Sequence, residues 1–148
     1  MHLSLLLVLS REGQVGVGHT RLKELRASLN ATEPRNATLA HNIAQTVARV
    51  AGRNSNLLTE TMQLMAEVVK WQPMVSEYHT ELAFQHFLLG QLPPAMDSYR
   101  TANSLDESNM TALHGLLKVQ ILQGFLEDAE QQLEFLNAIQ DTMGKSAE

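Results

Sequence analysis

The chain repeats itself at an offset of 34 residues, and this self-similarity constrains its fold more than any other feature of the sequence. Residues 76–109 align with residues 110–143 at positions of similar size and polarity. The aligned pairs are Leu82 and Leu116, Gly90 and Gly124, Ala95 and Ala129, and Tyr99 and Leu133. In both units an apolar segment with helical periodicity precedes a glycine, a short polar turn and a second helical segment. The sequence therefore predicts stacked helix-turn-helix units.

The period and the order of small and large residues match the tetratricopeptide pattern. Two antiparallel helices need small residues where their backbones approach and large residues where gaps must be filled. The residues predicted to pack the repeats are Leu82, Ala83, Gly90, Ala95, Tyr99 and Ala102 in one unit, and Leu116, Gly124, Ala129 and Leu133 in the other. The second unit is more degenerate, because Leu117 and Leu136 take two of its small positions. Both glycines are expected just after a first helix, at positive φ.

The same alternation continues upstream with looser spacing. Gly13, Gly52 and Gly90 are 39 and 38 residues apart, which indicates repeats with a few extra loop residues. An apolar stripe with helical spacing follows Gly52 and is expected to end at Pro73. We therefore predict an all-α, tetratricopeptide-type helix-turn-helix solenoid of about four helix pairs, forming a single helical-repeat segment. The predicted repeats cover approximately residues 1–33, 34–75, 76–109 and 110–143.

Composition excludes several classes of function. Hydrophobic residues make up 44% and charged residues 18% of the chain, as in ordinary globular proteins. The net charge of -5, without a basic patch, opposes nucleic-acid binding, which needs clustered Lys and Arg to displace counterions. There is no cysteine, so disulfides, thiolate nucleophiles and cysteine-based metal sites are excluded.

Other candidate chemistry has a simpler structural explanation. His79 and His86 lie seven residues apart on one predicted helix, whereas a helical metal-binding pair normally uses i and i+4. We interpret both histidines as packing residues. The segment GQVGVG at Gly13 lacks the Lys-Ser or Lys-Thr of a phosphate loop, and no βαβ unit surrounds it. We therefore expect no catalytic residue, cofactor or metal, and a protein that is not an enzyme.

The binding surface of such a solenoid is expected on the wall built from the first helices. The candidate partner-binding residues on this wall are Glu77, Thr80, Glu81, Phe84, Phe87, His114, Lys118 and Ile121. With two glutamates and only one lysine, this wall disfavours an adaptor for the acidic tails of chaperones. The acidic run Glu127, Asp128, Glu130 and Glu134 is interpreted as a solvated helix face opposite Leu126, Ala129, Leu133 and Leu136.

The N-terminal apolar run from Leu3 to Leu9 has the length of a signal-peptide core but not its context. No Lys or Arg precedes it, and Arg11 and Glu12 follow it directly. We therefore expect no signal peptide and, since a span needs roughly 20 apolar residues, no membrane insertion. Three Asn-x-Thr sequons keep a secreted helical glycoprotein as an alternative. These lie at Asn30, Asn36 and Asn109.

Three segments resemble one family within the repeat class. They are Gly124 to Lys145 (GFLEDAEQQLEFLNAIQDTMGK), Ala102 to Asp106 (ANSLD), and Gly52 to Arg53 before the following helix. Together they resemble the tetratricopeptide repeat protein 21 family, the large tetratricopeptide-repeat subunit of intraflagellar transport complex A. The match is best over about residues 76–145 and continues more weakly back to Ser10.

The resemblance implies a non-catalytic ciliary scaffold that takes part in retrograde transport and cilium assembly. It implies a cytoplasmic and ciliary location and other subunits of complex A as protein partners, with neither nucleic acid nor membrane insertion. The chain would be an internal part of a longer solenoid or a truncated product, since it departs from the family in length and over Met1 to Leu9. The alternative within binding proteins is a generic tetratricopeptide adaptor unrelated to cilia.

Overall fold

The computed structural model describes residues 23–24, 36–52 and 54–147, with side chains as far as residue 142. Within these residues the chain forms six helices of appreciable length and no strand, which confirms the predicted all-α class. The helices are α1 (Ala37–Val50), α2 (Ser55–Trp71), α3 (Ser76–Leu88), α4 (Leu92–Leu105), α5 (Met110–Leu122) and α6 (Leu126–Ala147). The predicted first repeat, 1–33, lies outside the described residues apart from Lys23 and Glu24, which are helical.

Consecutive helices pack as pairs, α1 with α2, α3 with α4 and α5 with α6, and each pair packs on the next. The first helices of the pairs also contact one another, because α3 touches both α1 and α5. They therefore form one continuous wall. From Ser76 to Met110 and from Leu92 to Leu126 the helix starts are each 34 residues apart. Upstream the spacing is longer, chiefly because α2 has 17 residues where α4 has 14.

Glycine ends each first helix. Gly52, Gly90 and Gly124 follow α1, α3 and α5 with φ of 62°, 75° and 82°. Backbone in this left-handed region is costly for residues that carry a Cβ, so glycine fixes where each pair turns.

Asparagine starts three of the helices. The side-chain oxygens of Asn36, Asn54 and Asn109 each accept a backbone N–H at 3.1 Å in the first turn of α1, α2 and α5. Such caps satisfy one of the four N–H groups that a helix leaves unpaired at its start. In α4 the first turn holds Pro93 and Pro94 instead, where the missing N–H costs nothing.

The core has two parts. The first joins α1, α2 and α3 through aliphatic side chains such as Leu57, Leu64 and Val68, which are at most 1% exposed. The second joins α3, α4 and α5 and is rich in alanine, with one large ring, Tyr99. Its residues are Ala83, Ala95, Tyr99, Ala102, Ala112, Leu116 and Val119. Alanine lets these three helices approach closely, and the tyrosine ring fills the space that remains.

Seven of the residues predicted to pack the repeats are buried: Leu82, Ala83, Ala95, Tyr99, Ala102, Leu116 and Ala129. Gly90 and Gly124 lie in the turns. Leu133 differs from the prediction, because it is 47% exposed, while Leu136 is 3% exposed. Leu126, expected on the apolar side of the acidic helix, is 62% exposed. The physical reason is that, among the described helices, α6 packs mainly on α5, so only one narrow stripe of it is covered.

Candidate functional site

Two adjoining cavities lie between the first helices in the described part of the chain. The first, the aromatic cavity, has a volume of about 450 Å³ and is lined by Phe84, Phe87, Tyr99, Met110, Thr111, His114, Gly115 and Lys118. The second, the polar cavity, has a volume of about 430 Å³ and is lined by His41, Gln45, Arg49, Glu77, Thr80, Glu81, Asp106, Asn109 and Thr111. Thr111 lines both cavities, so they are neighbours on one surface.

Helical spacing brings the lining residues of the aromatic cavity together. Phe84 and Phe87 are three apart on α3, and His114 and Lys118 are four apart on α5, so each pair shares a helix face. A cation lies over each phenylalanine ring: the Lys118 Nζ is 5.3 Å from the Phe87 centroid and the Arg49 Cζ is 4.5 Å from that of Phe84. Both distances are within the range of cation–π interactions, which favour these positions of the two rings.

Gly115 leaves space for the ring of Tyr99, which forms one side of the aromatic cavity. A Cβ built on this helical glycine would lie 2.3 to 2.8 Å from three ring atoms of Tyr99, which is closer than real contacts allow. The ring of Tyr99 therefore sits directly against the α5 backbone. Burial, and secondly the carboxylate of Glu81, raises the pKa of Tyr99 from 10.0 to about 12, opposed by the charge of Arg49. The phenol stays protonated at physiological pH.

Among the residues that the structure describes, no carboxylate lines the aromatic cavity. Its one permanent charge is the ammonium of Lys118, which has no ion-pair partner within 4.0 Å among the described residues. The site is therefore cationic and apolar within a chain whose net charge is -5.

The polar cavity contains a buried glutamate that is already neutralised. Glu81 is 4% exposed, and its two oxygens accept hydrogen bonds from Arg49 at 2.7 and 2.8 Å. The side-chain amide of Gln85 donates a third, at 2.9 Å. Glu81 was predicted to face a partner, but its carboxylate is used inside the protein. Thr80, predicted in the same role, is 8% exposed.

Asn109 ties α5 to α3 beside the polar cavity. Its amide nitrogen donates to the Ser76 hydroxyl at 2.8 Å and to the Thr80 hydroxyl at 2.9 Å, while its oxygen caps α5. All the hydrogen-bonding capacity of the amide nitrogen is thus used within the fold. Of the other two sequons, Asn36 is an exposed helix cap and Asn30 lies outside the described residues.

The other residues predicted on the wall lie in three places: the aromatic cavity, the polar cavity and a surface further along α5. Phe84, Phe87, His114 and Lys118 line the aromatic cavity and Glu77 lines the polar one. Ile121 lines neither: it is 51% exposed and lies beside Leu117 and Leu122 further along α5.

Sequence reasoning missed several residues that line the two cavities, among them Arg49, Met110 and Gly115. Arg49 pairs with a residue 32 positions away, a relationship for which the sequence carries no local signal. Met110 begins α5 and falls outside the positions expected to face the wall. Gly115 did have a signal, since a lone glycine lowers the stability of a helix and so points to a packing reason at that position.

The two histidines weighed as metal ligands have hydrogen-bond partners. The Nε2–H of His79 donates to the Pro73 carbonyl at 2.7 Å, because a carbonyl can only accept, and the Nδ1 of His86 lies 2.7 Å from the Gln91 side-chain oxygen. Among the described residues, no three His, Asp or Glu side chains are grouped as metal ligands would be.

The acidic residues of α6, namely Glu127, Asp128, Glu130 and Glu134, are all exposed. No helix in the described part of the chain combines the length and apolar character needed to cross a membrane.

The sequence of the chain is similar to those of known proteins. A family model described as "Tetratricopeptide repeat protein 21 second ARM domain" matches residues 20–148. The chain is 42% identical over 138 residues to Tetratricopeptide repeat protein 21B of Homo sapiens, covering 93% of this chain and 10% of that protein. It is 32% identical over 138 residues to Tetratricopeptide repeat protein 21A of Mus musculus, again covering 93% and 10%. The chain thus spans about a tenth of the length of these relatives.

Solved structures share the fold. The structure titled "MamA MSR-1 C2" superposes with a TM-score of 0.68 at 19% identity, covering 96% of this chain and 76% of that one. A second, "Crystal structure of MamA", gives a TM-score of 0.69 at 16% identity, covering 88% and 74%. At these identities the likeness concerns the helical-repeat architecture alone.

Proposed function

The chain belongs to the tetratricopeptide repeat protein 21 family, and from this premise we propose that it acts as a non-catalytic protein-interaction scaffold, an internal segment of a longer solenoid. The partners we propose are other subunits of intraflagellar transport complex A, which would place the protein in retrograde ciliary transport and cilium assembly. The location proposed with them is the cytoplasm and the cilium.

The observation that carries this proposal is the continuous wall formed by α1, α3 and α5. Repeats that contact only their neighbours leave one long face open, and such a face suits extended contact with other proteins. The polar groups most suited to chemistry serve structure here, since Glu81 is neutralised by Arg49 and His79 is bonded to backbone. These contacts support a binding role over a catalytic one.

Affinity purification from ciliated cells tests the proposal. The full 148-residue chain, tagged and expressed there, is expected to recover complex A subunits. Recovery of chaperones alone would favour a generic adaptor, and attached glycans would favour a secreted protein.

A matched pair of variants on α4 controls for folding. Ala95→Arg places a charge at a fully buried contact between helices and is expected to abolish recovery. Thr101→Arg adds the same charge at an exposed position of the same helix and is expected to leave recovery intact. Equal recovery by both variants would contradict a role that depends on stacked helix pairs.

A further inference from the structure

The aromatic cavity combines three features that together point to a particular ligand chemistry. It is walled by the rings of Phe84, Phe87 and Tyr99, it carries the charge of Lys118, and no acidic side chain of the described part of the chain lines it. Its volume of about 450 Å³ falls in the range of roughly 300–1,000 Å³ typical of ligand sites. An apolar side chain would be favoured by the rings, and a carboxylate by the ammonium.

The charge of Lys118 is available to a ligand. It is exposed, it has no carboxylate partner among the described residues, and its contact with the Phe87 ring leaves its hydrogen-bond donors free. The charge of Arg49, a second cation on the described wall, is instead neutralised by Glu81, whose two oxygens accept one hydrogen bond from each terminal nitrogen of the guanidinium. Among the described residues Lys118 is the one free cation beside these rings, which is too little charge for a nucleic-acid backbone, since that needs several.

The neighbouring polar cavity restricts where an acidic group can lie. Past Thr111 a bound segment would meet the exposed carboxylates of Glu77 and Asp106, which repel a second acidic group. The acidic residue of a partner is therefore confined to the Lys118 end.

We propose that the aromatic cavity is the docking site for an acidic and apolar segment of a protein partner. In this arrangement an Asp or Glu carboxylate pairs with the Lys118 ammonium, and an adjacent Leu, Met or Phe side chain packs against Phe87 and Met110. The proposal deepens the scaffold function and rests on it, since it names the chemistry by which one repeat boundary, α3 to α5, selects its partner.

Peptide selection on the full 148-residue chain tests this. The probe is a displayed library of random peptides of about twelve residues, long enough to follow the wall across both cavities. Selected peptides are expected to carry an Asp or Glu close to a Leu, Met or Phe. Enrichment of basic peptides, of peptides without an acidic residue, or of none above the background of the Lys118→Glu variant would overturn the proposal.

Variants then locate the binding. In fluorescence polarisation, Lys118→Glu is expected to weaken the selected peptides by at least about tenfold, whereas Lys118→Arg keeps the charge and most of the affinity. Met110→Gln tests the apolar contact and is expected to weaken binding too. Lys70→Glu makes the same charge change at an exposed position of α2, outside both cavities, and is expected to have no effect. Equal loss in Lys70→Glu and Lys118→Glu would show a general charge effect and not a site.

This test and the test of the scaffold function fail separately. If the chain recovers complex A subunits but selects no acidic and apolar peptide, the docking proposal is wrong and the scaffold function stands. If the peptides bind as expected but no complex A subunit is recovered, the cavity is a docking site for a different assembly.

Discussion

Arg49 of α1 and Glu81 of α3 form a two-pronged ion pair, with nitrogen–oxygen distances of 2.7 and 2.8 Å, in which only the arginine reaches solvent. The side chains are 44% and 5% exposed respectively. The pair joins two successive first helices across 32 residues of sequence. It also places the guanidinium over Phe84 at the border between the polar and aromatic cavities. One contact therefore stabilises the repeat stack and shapes the candidate site.

Removing Arg49 alone is expected to lower the free energy of unfolding more than removing both charges of the ion pair. Arg49→Met leaves the buried Glu81 carboxylate without its cation, and we expect the free energy of unfolding to fall by about 1–3 kcal/mol. Arg49→Met combined with Glu81→Gln removes both charges and is expected to recover part of that loss. Urea denaturation of the single and double variants measures both values. Losses that simply add would show that the two side chains are not coupled.

Gly115 is expected to respond to alanine in opposite ways in two backgrounds. In the native chain Gly115→Ala drives a methyl group into the Tyr99 ring, and overpacking of this kind costs about 1–3 kcal/mol. In a Tyr99→Leu background the obstructing ring is gone, and the change should stabilise by about 1 kcal/mol through helix propensity. Thermal unfolding of the four proteins provides the cycle. Stabilisation by Gly115→Ala in both backgrounds would contradict the contact.

Tyr99 is expected to make the fold sensitive to alkali. The unfolded chain releases this proton near its ordinary pKa of 10.0, while burial holds the folded pKa at about 12. Between these values the unfolded state binds fewer protons, so stability falls as pH rises, by at most about 1.4 kcal/mol per pH unit, and is unaffected below this window. Tyr99→Phe removes this contribution. From pH 10 to 12 the native chain should therefore lose stability relative to the variant. A stability difference that does not change with pH would contradict the raised pKa.

Asn109 has two roles that one substitution separates. Asn109→Asp keeps the oxygen that caps α5 but removes the hydrogen bonds donated to Ser76 and Thr80, whereas Asn109→Ala removes all three. We expect the alanine variant to lose about 1 kcal/mol more than the aspartate variant, the usual value of a helix cap. Denaturant midpoints measure this. A glycan on the same nitrogen would replace one of its two hydrogens and so remove one of the donated bonds. The folded protein is therefore expected to be unmodified at this sequon.

Leu133 and Leu136 provide a matched comparison on α6. Leu136→Ala is expected to cost about 2–4 kcal/mol because this side chain is 3% exposed. Leu133→Ala, at 47% exposure, is expected to cost less than about 1 kcal/mol. If Leu133 proved the costlier site, it would fill the gap between helices as the repeat alignment predicted.

The alignment of repeats predicted the architecture but not the site in full. Gly90 and Gly124 predicted the positions of the turns, and Ala95 with Tyr99 predicted the contact between α3 and α4. These positions could be predicted because each repeat must satisfy the same backbone geometry by itself. Glu81 was assigned to the surface by its position on the helix. Its burial depends on Arg49 in the preceding repeat, and a pattern within one repeat cannot report that.

By itself the sequence determined the helix pairs, their period and the wall on which a partner is expected, because hydrophobic periodicity and turn glycines act locally and recur with each helix pair. The tertiary structure alone decided which charges of that wall are free. Glu81 is neutralised, whereas Lys118 has no ion-pair partner within the described part of the chain, since an ion pair depends on distances between helices that belong to different repeats. Whether a charged side chain is neutralised depends on which opposite charges lie near it in space, and only the packed structure brings those groups together.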